Sequence, residues 1–272
     1  MRTFSANPLE AVKSLWQHKS LVLALAQRDV VGRYRGSIFG ILWSFLNPLF
    51  MLMVYTFVFS VVFKARWGAQ SDSRADFAIN LFAGMIVFNL FSECVGRSAS
   101  LIAHNANYVK KVVFPIEILP CVNLCSALFH GSISLLVWML FFVCYRGFPF
   151  VEGLALPLVL LPLLILTLGL SWLIASLGVF LRDISQVISL AISVLLFVSP
   201  VFYPISAVPV SLQWLMRLNP ISESIEQVRG VLLFGQLPDP VVYGAHLAFS
   251  LLITWGCFAW FQKSRRAFAD VL

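Results

Sequence analysis

Leu154–Leu181 reads LALPLVLLPLLILTLGLSWLIASLGVFL, and no Asp, Glu, Lys or Arg interrupts it. A helix needs about 20 apolar residues to cross a bilayer, and a charge at its centre costs about 2.5–3.5 kcal/mol. The solvent for such a stretch is lipid. The pattern recurs in both directions along the chain. Gly36–Phe63, Phe77–Ser92, Ile118–Tyr145 and Pro240–Gln262 are free of charge, and Ile184–Met216 is free but broken by Pro200, Pro204 and Pro209. Six membrane-crossing helices are expected, in an all-α fold. Several stretches exceed a bilayer's thickness, which calls for tilt or overhang. Only 11% of the chain is charged, against about 25% in a soluble domain, so it cannot cover a soluble surface. We read residues 1–272 as one transmembrane domain: an arm over 1–35, the six spans over 36–262 and a tail over 263–272.

Orientation follows from the basic residues outside the spans. With the N-terminus inside, the inner segments Met1–Arg35, Glu93–Glu117, Arg182–Asp183 and Lys263–Leu272 hold 13 of the 19 Lys and Arg, while the 12 acidic residues divide equally. The positive-inside rule therefore puts both termini in the cytoplasm. The basic balance is then explained by the membrane and needs no nucleic acid. Met1–Ser20 carries Arg2, Glu10, Lys13 and Lys19 and lacks the apolar core of a signal peptide, so a retained N-terminus is expected. Asn7 and Pro8 form a helix start. Leu9, Val12, Leu15 and Trp16 follow on one face with Lys13 and Lys19 off it, the pattern of a helix lying in the headgroup plane.

Between the fifth and sixth spans, Pro200-Val-Phe-Tyr-Pro204 cannot continue a regular helix. Asn219 and Pro220 then read as a new N-cap and first turn. Ile221, Ile225, Val228 and Leu232 share one face, Glu223, Glu226 and Arg229 lie elsewhere around the helix, and Gly235 ends it. An amphipathic re-entrant helix on the outer side is expected.

The chain has no G-x-x-x-x-G-K-[ST] phosphate loop, no H-E-x-x-H and no G-x-S-x-G, so it shows no ATPase, metalloprotease or hydrolase signature. Its five cysteines are odd in number and form no C-x-x-C pair; neither disulfides nor zinc is expected. Ionisable residues inside the spans are nearly absent. His130 is the best candidate for a proton relay, with an interhelical hydrogen bond as the plainer role. Glu93 and Arg97 sit at i,i+4, an ion-pair spacing, near the cytoplasmic end of the second span. A transporter without a coupling charge draws its energy elsewhere, and a separate ATPase is the expected source.

Three further groups have two readings each. His104–Pro115, with Tyr108 and the Lys110-Lys111 pair, is either a segment that lodges in a groove of a partner or an ordinary basic loop. Arg28, Arg33 and Arg35 either receive a phosphate or pyrophosphate or anchor the chain on the inner leaflet. Aromatic rings crowd the first span (Trp43, Phe50, Tyr55) and the end of the fifth (Phe197, Tyr203). They either let a glycan slide from ring face to ring face or face lipid.

Together these segments resemble the type-2 ABC transporter permeases, and within them the polysaccharide exporters of O-antigen, capsule and teichoic acid. The likeness is carried by Arg28-Asp-Val-Val-Gly-Arg-Tyr-Arg-Gly-Ser-Ile-Phe-Gly-Ile-Leu-Trp43 with Asn47-Pro48, by Lys110-Lys111 to Phe114-Pro115, and by Ser199–Pro204 with Asn219-Pro220 through Arg229. The resemblance implies a homodimeric permease in the bacterial inner membrane, served by two cytosolic ATPase subunits that bind the ATP and magnesium, with no cofactor in this chain. It implies a coupling helix at Asn105, Asn107, Tyr108, Lys110 and Lys111, and admission of the lipid head group near Arg28, Arg33 and Arg35. The glycan channel would use Trp43, Phe50, Tyr55, Phe197 and Tyr203. The external gate would use Pro200, Pro204, Asn219, Glu223, Glu226 and Arg229. The cargo would be a lipid-linked polysaccharide. The alternatives are an ABC exporter of drugs or small lipids, or an ion-coupled secondary carrier, for which His130 would be essential.

Overall fold

A computed structural model describes residues 8–62, 67, 74–109, 114–148, 150–181 and 183–271. The described residues form helices and loops, without a strand. The arm is two helices, α1 (Pro8–Gln17) and α2 (Lys19–Arg33). α3 (Trp43–Tyr55) follows a short 3-10 turn and widens into a π-helix over Thr56–Val62. Next come α4 (Arg74–His104), the single turn α5 (Ala106–Val109), α6 (Leu119–Arg146) and α7 (Leu156–Phe180). α8 (Ile184–Val198), α9 (Val210–Leu218) and α10 (Pro220–Leu233) precede α11 (Pro240–Ser264) and the last turn, α12 (Phe268–Val271).

Among the described residues, five helical segments are long and apolar enough to cross a membrane: Gly40–Phe59, Ala75–His104, Ile116–Arg146, Val151–Phe180 and Pro240–Ala267. α8 is apolar but has 15 residues, a rise of about 22 Å against a hydrocarbon core of about 30 Å. Ser199-Pro200 ends it, since Pro200 cannot donate the next helical hydrogen bond. The rest of the expected fifth span becomes loop and the separate helix α9.

α4 is the axis of the bundle. It packs on α6, α7, α8 and α10, and α11 covers the far side of α7. Its approach to α7 depends on Gly178, where a Cβ would lie 1.8 Å from the Ala99 carbonyl oxygen; small residues let spanning helices come this close. One core cluster joins Ile79, Phe82 and Phe88 to Trp138, Leu163, Ile225 and Leu232. A second, at the other end, joins Val22 and Ala26 to Ile118, Trp172, Phe258 and Phe268. Both buried indoles are satisfied: Trp138 donates to the Ile79 carbonyl and Trp172 to the Glu117 carbonyl, each at 3.0 Å. α3 with the π-helix after it, and α8, instead leave apolar stripes uncovered, among them Phe50, Val54 and Phe57, and Val187, Leu190, Val194 and Phe197.

In the arm, Leu15 packs on the second core cluster while Val12 and Trp16 are exposed, so the apolar face of α1 has an uncovered part. Asn7, its expected cap, lies outside the described residues.

Candidate functional site

The C-terminal end of α2 meets α4 and α6 in a network of charged side chains. Arg97 donates to both carboxylate oxygens of Asp29, at 2.9 and 2.7 Å. Arg33 bonds Glu93 and reaches Asp29 at 3.4 Å. His130 meets Glu93 through Nδ1 at 2.9 Å and the Tyr34 hydroxyl through Nε2 at 3.2 Å. Burial acts to raise the Asp29 carboxyl, but hydrogen bonds from Arg97 and Ser126 and the charges of Arg97 and Arg33 outweigh it and hold the group at about 2. The i,i+4 pair expected between Glu93 and Arg97 is replaced by these interhelical partners. Once α2 packs along α6, its own Asp29 and Arg33 come closer to them.

Three cavities surround this network. One, of about 390 Å³, rises between α3, α4 and α6 from Arg33, Tyr34, Glu93 and His130 past Asn47 and Asn89 to Tyr55. A second, of about 460 Å³, runs from Arg33 and Arg28 to Asn105 and Tyr108. A third, of about 370 Å³, is lined by Arg28, Tyr34 and Arg35 beside Gly32, Gly40 and Ile41. The three expected head-group arginines therefore separate. Arg33 is tied up by two carboxylates, whereas Arg28 and Arg35 face one cavity together. Arg28 also donates to the Tyr108 hydroxyl at 2.9 Å, linking α2 to the expected coupling segment.

That segment is described in part. Asn105 donates back to the Leu101 carbonyl at 2.8 Å and extends α4, Asn107 is exposed, and Tyr108 stacks on Phe114 at 4.4 Å. Lys110 and Lys111 lie outside the described residues.

At the other end of the bundle, rings from the first span, α4, the end of α8 and the loop after it form a ladder. Tyr55 lies 6.5 Å from Phe202, Phe59 stacks on Phe202 at 5.5 Å and on Phe77 at 5.7 Å, and Phe197 lies 5.9 Å from Phe202. Tyr203 donates to the Phe197 carbonyl at 2.6 Å. Of the five expected channel residues, Tyr55, Phe197 and Tyr203 share this region. Trp43 packs edge-on against Phe39, and Phe50 is exposed on α3. Phe59, Phe77 and Phe202 complete the ladder, and only the packing of α3 and α4 on the α8 loop singles them out from the many other phenylalanines.

Arg229 departs most from expectation. It lies not on a polar helix face but fully buried, 2% exposed. Its guanidinium donates to the carbonyls of Asn80 (3.1 Å), Pro200 (2.6 Å) and Val201 (3.0 Å) and to Glu226 (2.9 Å), and it stands 4.3 Å over the Trp67 ring. The Pro200 and Val201 carbonyls follow the C-terminus of α8, where the backbone has lost its helical donors. A buried arginine with five N–H groups supplies them. Gly84 makes the room: a Cβ there would lie 2.6 Å from Arg229 Nη2. α10 is consequently buried on most sides, including Ser222, Ser224 and Gln227, packed against α4 and α7. Its start is as the sequence indicates, with Asn219 accepting from the Ile221 amide at 3.0 Å and donating to Ser199 at 2.9 Å. Glu223 accepts from Gln227 at 2.8 Å, and Pro204 leads into a short 3-10 turn.

Apolar helices long enough to cross a membrane, around a cavity that opens beside surface cations, define a multi-pass membrane protein. The sequence profile of the ABC-2 type transporter family matches residues 20–233, and the chain belongs to that family. It is 29% identical over 264 residues to the O-antigen export system permease protein RfbA of Myxococcus xanthus, covering 96% of this chain and 99% of that protein. It is 26% identical over 253 residues to proteins of the same name from Klebsiella pneumoniae, covering 93% of this chain and 95% of theirs.

Proposed function

We propose that this chain is the permease subunit of an ATP-driven exporter that moves a lipid-linked polysaccharide of O-antigen type across the bacterial inner membrane. The observation that carries the reading is the end-to-end likeness to O-antigen export permeases, supported by the family itself. A cytosolic ATPase, present in two copies, supplies the energy and binds the nucleotide and magnesium. It docks at the segment around Asn105, Asn107, Tyr108, Lys110 and Lys111.

Two copies of the chain pair through the uncovered stripes of α3 and α8. α8 and the loop after it serve as the sixth crossing, and residues 1–272 act as one domain with both termini cytoplasmic. The lipid head group is received where Arg28 and Arg35 line one cavity; Arg33, held by Glu93 and Asp29, positions α2 instead. The glycan passes rings such as Tyr55 and Phe197, and the α8–α10 region opens as the external gate.

The test is deletion of the gene in its host. Lipid-linked polymer then accumulates in the cytoplasm and disappears from the surface, and the purified permease with its ATPase hydrolyses ATP faster when glycolipid is added. Normal surface polymer in the deletion strain refutes the proposal.

A further inference from the structure

We propose that the cavity of about 390 Å³ between α3, α4 and α6 is a binding site for an uncharged sugar unit, at the lipid-proximal end of the exported glycan. The inference rests on the exporter reading and adds a site within each subunit, apart from any channel between subunits.

The first observation is a pair of amides. Asn47 of α3 and Asn89 of α4 line the cavity, are exposed, and make no side-chain hydrogen bond with the described residues. Asn89 is the central residue of α4, on a helix whose neighbouring positions Leu81–Met85, Val87–Phe88 and Leu90–Phe91 are buried. An amide on a membrane-crossing helix without a partner is costly, so these two are placed to meet water or a polar ligand. Pro48 adds an acceptor on the same wall. It has no N–H, which leaves the Ser44 carbonyl without its helical donor, and Ser44 and Pro48 both line the cavity.

The second observation is charge. At the foot of the cavity Arg33, Glu93 and His130 belong to a network in which the carboxylates of Asp29 and Glu93 are matched by the guanidinium groups of Arg33 and Arg97, Asp29 and Arg97 lining the neighbouring cavity, and both ring nitrogens of His130 are engaged. A balanced network offers no excess cation to a phosphate. What remains for a ligand is neutral groups that donate and accept, as sugar hydroxyls do in return. At the far end stands Tyr55, whose ring gives a face for sugar C–H bonds. The volume falls within the usual range for small-molecule sites, about 300–1,000 Å³.

The third is continuity. Tyr34 lines both this cavity and the one holding Arg28 and Arg35. A head group bound at those arginines would leave its first sugars beside the neutral cavity.

The test uses the full transporter with its ATPase, in cells whose polymer is metabolically labelled with a tritiated sugar. A photo-crosslinking p-benzoylphenylalanine at position 89 or 47 is expected to capture label at least tenfold above the same group at position 252, on the exposed side of α11. Asn89→Leu, similar in size but without the amide, is expected to co-purify with the ATPase and to lower export at least fivefold. Label captured at position 197 but not at 89 or 47 overturns the site while leaving the exporter reading intact. No label at any position, with normal surface polymer in the deletion strain, overturns the exporter reading itself.

Discussion

Replacing Arg229 by methionine tests how the α8–α10 end of the bundle is held together. Methionine keeps the apolar stem and removes every donor. The carbonyls of Asn80, Pro200 and Val201 each lose a bond, and an orphaned buried acceptor costs about 1–3 kcal/mol. Release of the guanidinium from its own desolvation offsets part of that sum, leaving a net loss of about 3–5 kcal/mol, as when one partner of a buried charged pair is removed. At 2–4 °C per kcal/mol for a chain of this size, the unfolding midpoint falls by roughly 10 °C. The assay is the fraction remaining monodisperse in detergent after heating. Gly84→Ala gives an internal control: its methyl would stand 2.6 Å from Arg229 Nη2, an overpacking cost of about 1–3 kcal/mol. In the Arg229→Met background the clash is relieved and that cost shrinks, so the two changes are non-additive. A loss under about 1 kcal/mol for Arg229→Met, or additive costs, would refute the reasoning.

Asn219→Ala removes the cap of α10 and the bond to Ser199 and should lower stability by about 1–2 kcal/mol in the same assay. Asp29 has a folded-state value of about 2, below its ordinary 3.8. Its stabilising effect is therefore full above about pH 4 and is lost as pH falls toward 2. The difference in midpoint between the native chain and Asp29→Asn should shrink over that window, and a constant difference would count against the Arg97 pairing. Arg33→Gln should lower the midpoint because it leaves Glu93 short of its cation. Arg35→Gln should leave the midpoint unchanged while reducing glycolipid-stimulated ATP turnover by the partner. Equal thermal losses would remove the distinction between a positioning and a ligand-binding arginine.

The helices themselves were legible because what specifies them is local. Stretches without charge gave five membrane-length segments among the described residues where six were expected, and Asn219-Pro220 gave the start of α10. Where local signals competed the reading was coarser. Ile184–Met216 is free of charge throughout, so although Pro200 marked a break, composition did not reveal that the part before it is too short to cross a membrane alone or that Val210–Leu218 forms a helix of its own. The five aromatic candidates divided in the same way: composition named the rings, while only contact showed that Tyr55, Phe197 and Tyr203 lie together with Phe59, Phe77 and Phe202, apart from Trp43 and Phe50.

Sequence by itself determined an all-helical, membrane-crossing chain, because hydrophobic length and absence of charge are properties of consecutive residues. Tertiary structure alone decided who partners whom. Arg97 pairs with Asp29 across 68 positions, and Arg229 serves Asn80 across 149. Spacing along a helix ranks only neighbours three or four residues away, whereas a buried charge takes whichever partner the packed helices bring within hydrogen-bonding distance.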